Sequence, residues 1–232
     1  MRALVLPGLD GTGKLLADFV EALESGIVAD VATYPRDVAM DYDELLLLVE
    51  GCMPGGKFLL IGESFSGPVA IRLAAKYPER VVGLVLCASF AISPRPWLKP
   101  FRRVLDLLLL IPRTTVVHRF TMGRWTTREW RIRAGSAIAD VKPDVVRRRL
   151  ADALSVDASA DLPRVGCPLL YLQASDDRLV PKDAWIRILE RVPGARLAVI
   201  EGPHFLLQTP AGIAADAVRR FANDIEVASR SA

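Results

Sequence analysis

Cysteine is scarce in this 232-residue chain: Cys52, Cys87 and Cys167 stand far apart, with no CxxC pair and no metal-ligand spacing. So sparse and odd a set excludes a disulfide framework and points to reduced thiols in a cytoplasmic setting. Histidine is scarcer still, represented only by His118 and His204. Long apolar runs are missing as well. LLLLV at 45–49 and LDLLLLIP at 105–112 fall short of the roughly 20 apolar residues of a spanning helix, so no transmembrane segment is expected. The opening MRALVLPGL is too short for a signal peptide and is broken by Pro7-Gly8. No repeat and no low-complexity tract occurs. Net charge is only +3 and no recognition motif is present, which argues against nucleic acid as a partner. What is there is 51% apolar and 25% charged, an ordinary globular mixture long enough to bury a core.

Short apolar runs alternate with helix-period stretches. Buried strands are predicted at Arg2–Leu6, Ile27–Thr33, Lys57–Ile61, Val81–Cys87, Pro168–Gln173 and Arg196–Ile200. Helices are predicted at Lys14–Leu23, Tyr42–Glu50, Pro68–Lys76, Lys182–Arg191 and Gly212–Ile225. This alternation predicts an α/β fold, a mostly parallel sheet flanked by helices, with its working loops at the carboxyl ends of the strands. One segment breaks the rhythm. Residues 91–160 offer no convincing strand but hold five prolines, three tryptophans and helix-like stretches such as Phe101–Leu110 and Asp144–Leu154. A connection of that length needs structure of its own. The expected organisation is therefore a core of residues 1–90 and 161–232, with 91–160 as a helical cap insertion.

Within the core, GESFSG at 62–67 falls between a predicted strand and a predicted helix. A serine on such a sharp turn has its hydroxyl exposed at the sheet edge, above the helix N-terminus. Only Ser64 has a glycine two residues before it and a small residue two after; Ser66 occupies the place of the second glycine in G-x-S-x-G. The alternative is a plain turn with both serines as caps. A serine needs a base and the base an orienting acid. His204, in VIEGPHFLL just past the last strand, lies at the same sheet edge as Ser64, whereas His118 belongs to the cap, where a packing or surface role is expected. The acid should follow the strand in LLYLQASDDRLVP. Asp177 opens that turn and is preferred, leaving Asp176 to cap or face solvent. Donors for a developing oxyanion are expected from the backbone N–H groups of Leu9, in LVLPGLDGTG, and Phe65. That glycine loop matches neither the phosphate-binding nor the dinucleotide spacing. No cofactor or metal is expected.

PGLDG (7–11), GESFSG (62–67), SDDRLVP (175–181) and GPHF (202–205), in that order, resemble the α/β-hydrolase superfamily over essentially the whole chain. The resemblance implies a serine hydrolase, of carboxylesterase or thioesterase type, in which Ser64, His204 and Asp177 form a catalytic triad and Leu9 and Phe65 the oxyanion hole. Acyl transfer, C–C bond hydrolysis or cleavage on the same serine, and non-catalytic ligand binding remain alternatives. Charge adds a clue about partners. Residues 91–160 carry fourteen Lys and Arg against six acids, a net +8 that leaves −5 for the remainder. Such segregation favours anionic partners, such as an acyl-carrier protein, a CoA ester or an anionic membrane surface, unless these arginines are only solvated helix faces. The apolar cap residues would suit an acyl chain on a small ester or thioester.

Overall fold

The computed structural model describes residues 1–101, 121–209 and 211–230. Six strands, β1 (Arg2–Leu6), β2 (Val28–Val31), β3 (Phe58–Glu63), β4 (Val81–Cys87), β5 (Leu169–Ala174) and β6 (Arg196–Ile200), form one sheet in the order β2-β1-β3-β4-β5-β6. Every pair is parallel. Strand alternation explains why these runs read as continuously apolar. Leu4, Leu6, Leu60, Leu84 and Leu86 face one core layer, whereas Ala3, Val5, Leu59, Ile61 and Val85 face the other. Helices α2 (Tyr42–Glu50) and α3 (Gly67–Lys76) cover the first face; α1 (Ala17–Leu23) and the 20-residue α7 (Ala211–Arg230) cover the second. Local chemistry starts the helices: Asp41 and Glu44 form a reciprocal capping box on α2, and Pro68 occupies the first turn of α3.

All six predicted strands are present, but the edge strands β2 and β6 are not buried as expected: β2 has no buried residue and β6 only Ile200. β3 extends past its predicted end to Glu63, because Glu63 is buried and still paired with Cys87 of β4. The last core helix before α7, α6 (Asp183–Leu189), is shorter than expected, and α7 starts one residue earlier and ends five residues later. Chain order in the sheet reverses between β1 and β3, the place where open parallel sheets bind ligands beyond the strand ends. There Leu6 is in register with Gly62, so the loops leaving β1 and β3 start side by side.

Residues 91–160 supply α4 (Arg128–Ala139) and α5 (Pro143–Ala153), with no strand among the described residues. The Ala91–Ser93 and Val156–Ala158 ends meet: Ser93 N donates to Val156 O at 2.9 Å and Ala158 N to Ala91 O at 2.8 Å. The segment thus leaves and rejoins the sheet at one point. The helix-like stretch Phe101–Leu110, beyond its first residue, and His118 lie outside the described residues. No helix among the described residues is long and apolar enough to cross a membrane.

Candidate active site

The turn after β3 is built around Ser64, whose φ of +45° is a conformation that L side chains rarely adopt. Its neighbours make it possible. A Cβ on Gly62 would lie 2.7 Å from the Ala70 Cβ, so glycine lets β3 and α3 cross. A Cβ on Gly67 would lie 1.8 Å from Ser89 Oγ, the hydroxyl that donates to the Ser64 carbonyl at 2.6 Å. Phe65 is buried, its ring stacked on Tyr42 at 4.8 Å and its carbonyl accepting from the Tyr42 hydroxyl at 3.0 Å. The elbow is held from three sides.

Ser66 has a part that the glycine pattern could not disclose. Its buried hydroxyl donates to the Pro7 carbonyl and accepts from the Tyr34 hydroxyl, 2.6 Å away. The departure from G-x-S-x-G therefore ties the β3 turn to the loop after β1. A second tie comes from Glu63. Its Oε2 accepts from Gly8 N at 3.0 Å and its Oε1 from Gln208 Nε2 at 2.8 Å. Burial pushes this carboxyl up to about 7, against the pull of the Gln208 and Gly8 hydrogen bonds and the His204 ring. The sequence held no signal for this role, since Glu63 reads only as the variable position beside the serine.

The structure brings Ser64, His204 and Asp177 together from three separate loops. Ser64 Oγ lies 2.8 Å from His204 Nε2, and His204 Nδ1 lies 2.9 Å from Asp177 Oδ2. Asp177 Oδ1 accepts from Leu179 N and Val180 N, both at 2.9 Å, which fixes the carboxylate with one oxygen aimed at the ring. His204 and Asp177 are nearly inaccessible, with side-chain exposures of 6% and 5%. Burial lowers the imidazole pKa, but the Asp177 charge and hydrogen bond outweigh it and leave a net rise above 6.5. Asp176, expected to cap or face solvent, instead anchors the 91–160 segment. Its Oδ2 accepts from Arg124 Nε and Trp125 Nε1, each at 2.8 Å, and does not reach the histidine. The Pro7–Gly11 loop lies against the β3 turn, and among the described residues no acceptor pairs with the Leu9 N–H.

The described part of the 91–160 segment touches the loops at the carboxyl ends of the strands. Thr121 O accepts from His204 N at 3.0 Å, and Arg36 O accepts from Lys142 N at 2.8 Å. Its arginines meet acids of the core: Arg124 with Asp176 and Glu201, Arg133 with Asp18 at 2.7 Å, and Arg148 with Asp41 at 3.3 Å. The charge segregation seen in the sequence is thus in part an internal match between two pieces of one chain. Exposed pairs of this kind each contribute only about 0–1 kcal/mol, so they orient the contact more than they stabilise it. Among the described residues no group of acidic, histidine and cysteine side chains could hold a metal ion.

Comparison with known proteins agrees with the sheet and the helices that flank it. The chain is 26% identical over 217 residues to a Caulobacter sp. protein named "Putative carbamate hydrolase RutD", a match covering 83% of this chain and 79% of that one. It is 28% identical over 186 residues to the pimeloyl-acyl-carrier-protein methyl ester esterase of Nitrosomonas europaea, covering 73% and 71%. The solved structure of a thermophilic esterase from Thermogutta terrifontis superposes with a TM-score of 0.81 at 20% identity, over 97% of this chain and 90% of that one, a likeness of fold. The alpha/beta hydrolase family model matches residues 3–217, and with nearly the whole chain accounted for, the protein belongs to the alpha/beta hydrolase family.

Proposed function

We propose that the protein is a serine hydrolase that cleaves small carboxylic esters or thioesters through an acyl-enzyme. Ser64 Oγ attacks the carbonyl carbon while His204 Nε2 takes its proton. Asp177 holds the ring with Nδ1 protonated and stabilises the imidazolium. The carbonyl oxygen, now negative, rests on the N–H groups of Leu9 and Phe65. His204 returns the proton to the leaving alcohol or thiol as the carbon–oxygen or carbon–sulfur bond breaks. Water, deprotonated by the same imidazole, then releases the acid and restores Ser64. The observation that carries the proposal is the unbroken chain of two short contacts from Ser64 Oγ through His204 to Asp177, with the base closed off from bulk water.

Residues 91–160 act as the cap of this site. Trp125 and Trp130 give it apolar surface for an acyl group, and both are partly buried. A free small ester is favoured over a carrier-linked or CoA-linked one, because Arg124, Arg133 and Arg148 are already engaged by the core's own acids. The carrier-linked substrate named for the Nitrosomonas relative and the exposed Arg128 and Arg131 keep an anionic carrier as the second choice. Three free cysteines accord with a cytoplasmic setting.

The test is hydrolysis of short p-nitrophenyl esters. Ser64→Ala is expected to abolish turnover and labelling by a fluorophosphonate probe, whereas Ser66→Ala retains most of both. An active Ser64→Ala enzyme would remove the nucleophile from the scheme. Labelling of Ser64 without ester turnover would shift the proposal to C–C bond cleavage, acyl transfer or ligand binding at the same residues.

A further inference from the structure

The largest fully buried side chain in the described structure is a charged one. Arg149 of α5 is 1% exposed, and among the described residues no carboxylate pairs with it. Its sequence neighbours behave differently: Arg147 pairs with Asp144, and Arg148 with Asp41 and Asp152, at the surface. Arg149 Nη1 donates to the carbonyls of Leu9 at 2.9 Å and Asp10 at 2.7 Å, and Nη2 to that of Pro35 at 2.8 Å. The guanidinium carbon lies 5.6 Å from the centroid of the Tyr34 ring, the same tyrosine that donates to Ser66. Room for it is built into the loop. Gly11 has a φ of +69°, and a Cβ there would lie 2.6 Å from Nη1. Burial pulls the Arg149 pKa below that of a free arginine.

Burying a guanidinium without a directly paired carboxylate is costly, and three carbonyls together with the nearby Asp10 charge offset that cost only in part. A loop staple alone could be made from apolar packing. What the guanidinium adds is a fork whose Nη1 arm gathers two successive carbonyls while its Nη2 arm reaches the Pro35 loop, and a positive charge in a region of low dielectric, where charge acts over longer range. Both carbonyls belong to the loop that carries the Leu9 N–H.

Given Ser64 as the nucleophile proposed above, we infer that Arg149 is a positioning residue for acyl transfer. It holds the 7–11 loop with the Leu9 N–H free, and supplies buried positive charge as the oxyanion develops. Because α5 belongs to the 91–160 segment, the seating of that segment then sets the geometry of the chemistry as well as access to it.

The experiment starts with fluorophosphonate labelling of the wild type, the labelled residue being mapped by mass spectrometry. Label on a residue other than Ser64 overturns the nucleophile assignment itself. Label on Ser64 leaves Arg149 as the question. Arg149→Met keeps bulk without charge; Arg149→Lys keeps charge without the fork. On a short p-nitrophenyl ester, kcat is expected to fall roughly 100-fold in Arg149→Met and roughly 10-fold in Arg149→Lys, with KM within about threefold of the wild type. Millimolar guanidinium should restore part of the activity of Arg149→Ala, and sodium chloride at equal ionic strength should not. A folded variant with wild-type kcat, or one whose KM rises while kcat holds, overturns the role. If Arg149→Met does not fold, Arg149→Lys and the guanidinium rescue decide. If no variant folds, Arg149 serves stability alone and the inference fails.

Discussion

Removing the Ser66 hydroxyl tests whether the β3 turn and the β1 loop are held as one unit. Ser66 is fully buried, and its single oxygen serves two groups, the Pro7 carbonyl and the Tyr34 hydroxyl. Tyr34 is itself 2% exposed, so neither partner can turn to bulk water. Ser66→Ala therefore strands a buried acceptor and a buried donor. Each such loss costs about 1–3 kcal/mol, so the variant should lose about 2–6 kcal/mol of a total stability on the order of 5–15 kcal/mol. For a chain of this size that is a fall in Tm of roughly 4–24 °C. Tyr34→Phe removes only the donor and leaves Ser66 bonded to Pro7, a cost of about 1 kcal/mol. The double variant has no stranded tyrosine hydroxyl, so its cost should undercut the sum of the singles by at least about 0.5 kcal/mol. Urea denaturation of the four proteins measures this cycle. The folded variant should keep most of its activity, because the Ser64 backbone is gripped independently through Ser89. A Ser66→Ala loss below about 0.5 kcal/mol, or strict additivity with Tyr34→Phe, would refute the shared-oxygen account.

Glu63 and Asp177 give two further tests. The Glu63 carboxyl is pushed from 4.5 up to about 7 by burial, so between those pH values the native state holds a proton that the unfolded chain has released. Stability attributable to Glu63 should accordingly fall by about 3 kcal/mol as pH rises from 4.5 to 7. Glu63→Gln should flatten that slope, read as urea midpoints at pH 5 and pH 8, and an unchanged slope would contradict it. For Asp177→Asn, the carbonyl of the new side chain should stay with Leu179 N and Val180 N and turn its NH₂ toward His204 Nδ1. That forces the tautomer with Nε2 protonated, leaves Ser64 without a base, and should lower kcat about 10⁴-fold without unfolding the chain. In the wild type, activity should rise with pH through a His204 pKa above 6.5, since only the neutral ring accepts a proton and Asp177 favours the charged one. Loss of less than tenfold in Asp177→Asn would count against an orienting role.

Much of the architecture was legible in one dimension because its causes are local. Strands buried on both faces must be continuously apolar, as FLLI in β3 is, and a helix covering them with one face must repeat every three to four residues, as α2 does with Tyr42, Leu45 and Val49. Helix α4 went unpredicted, since its surface is mostly polar and its start depends on a single cap, Thr127 accepting from Trp130 N. Asp176 shows the limit at the site. From sequence it was the less suitable of two adjacent carboxylates, but its actual partners, Arg124 and Trp125, lie about fifty residues away. Spacing along the chain nominated Ser64, Asp177 and His204, and composition revealed the basic segment. Neither could show Ser66 bonded to Pro7, Glu63 bridging Gly8 and Gln208, or Arg149 buried under the first loop. Those contacts join residues 55 to 145 positions apart, and a buried polar group takes whichever partner the packed sheet brings within 3 Å. Periodicity records which way a side chain faces; only the closed structure decides what it meets there.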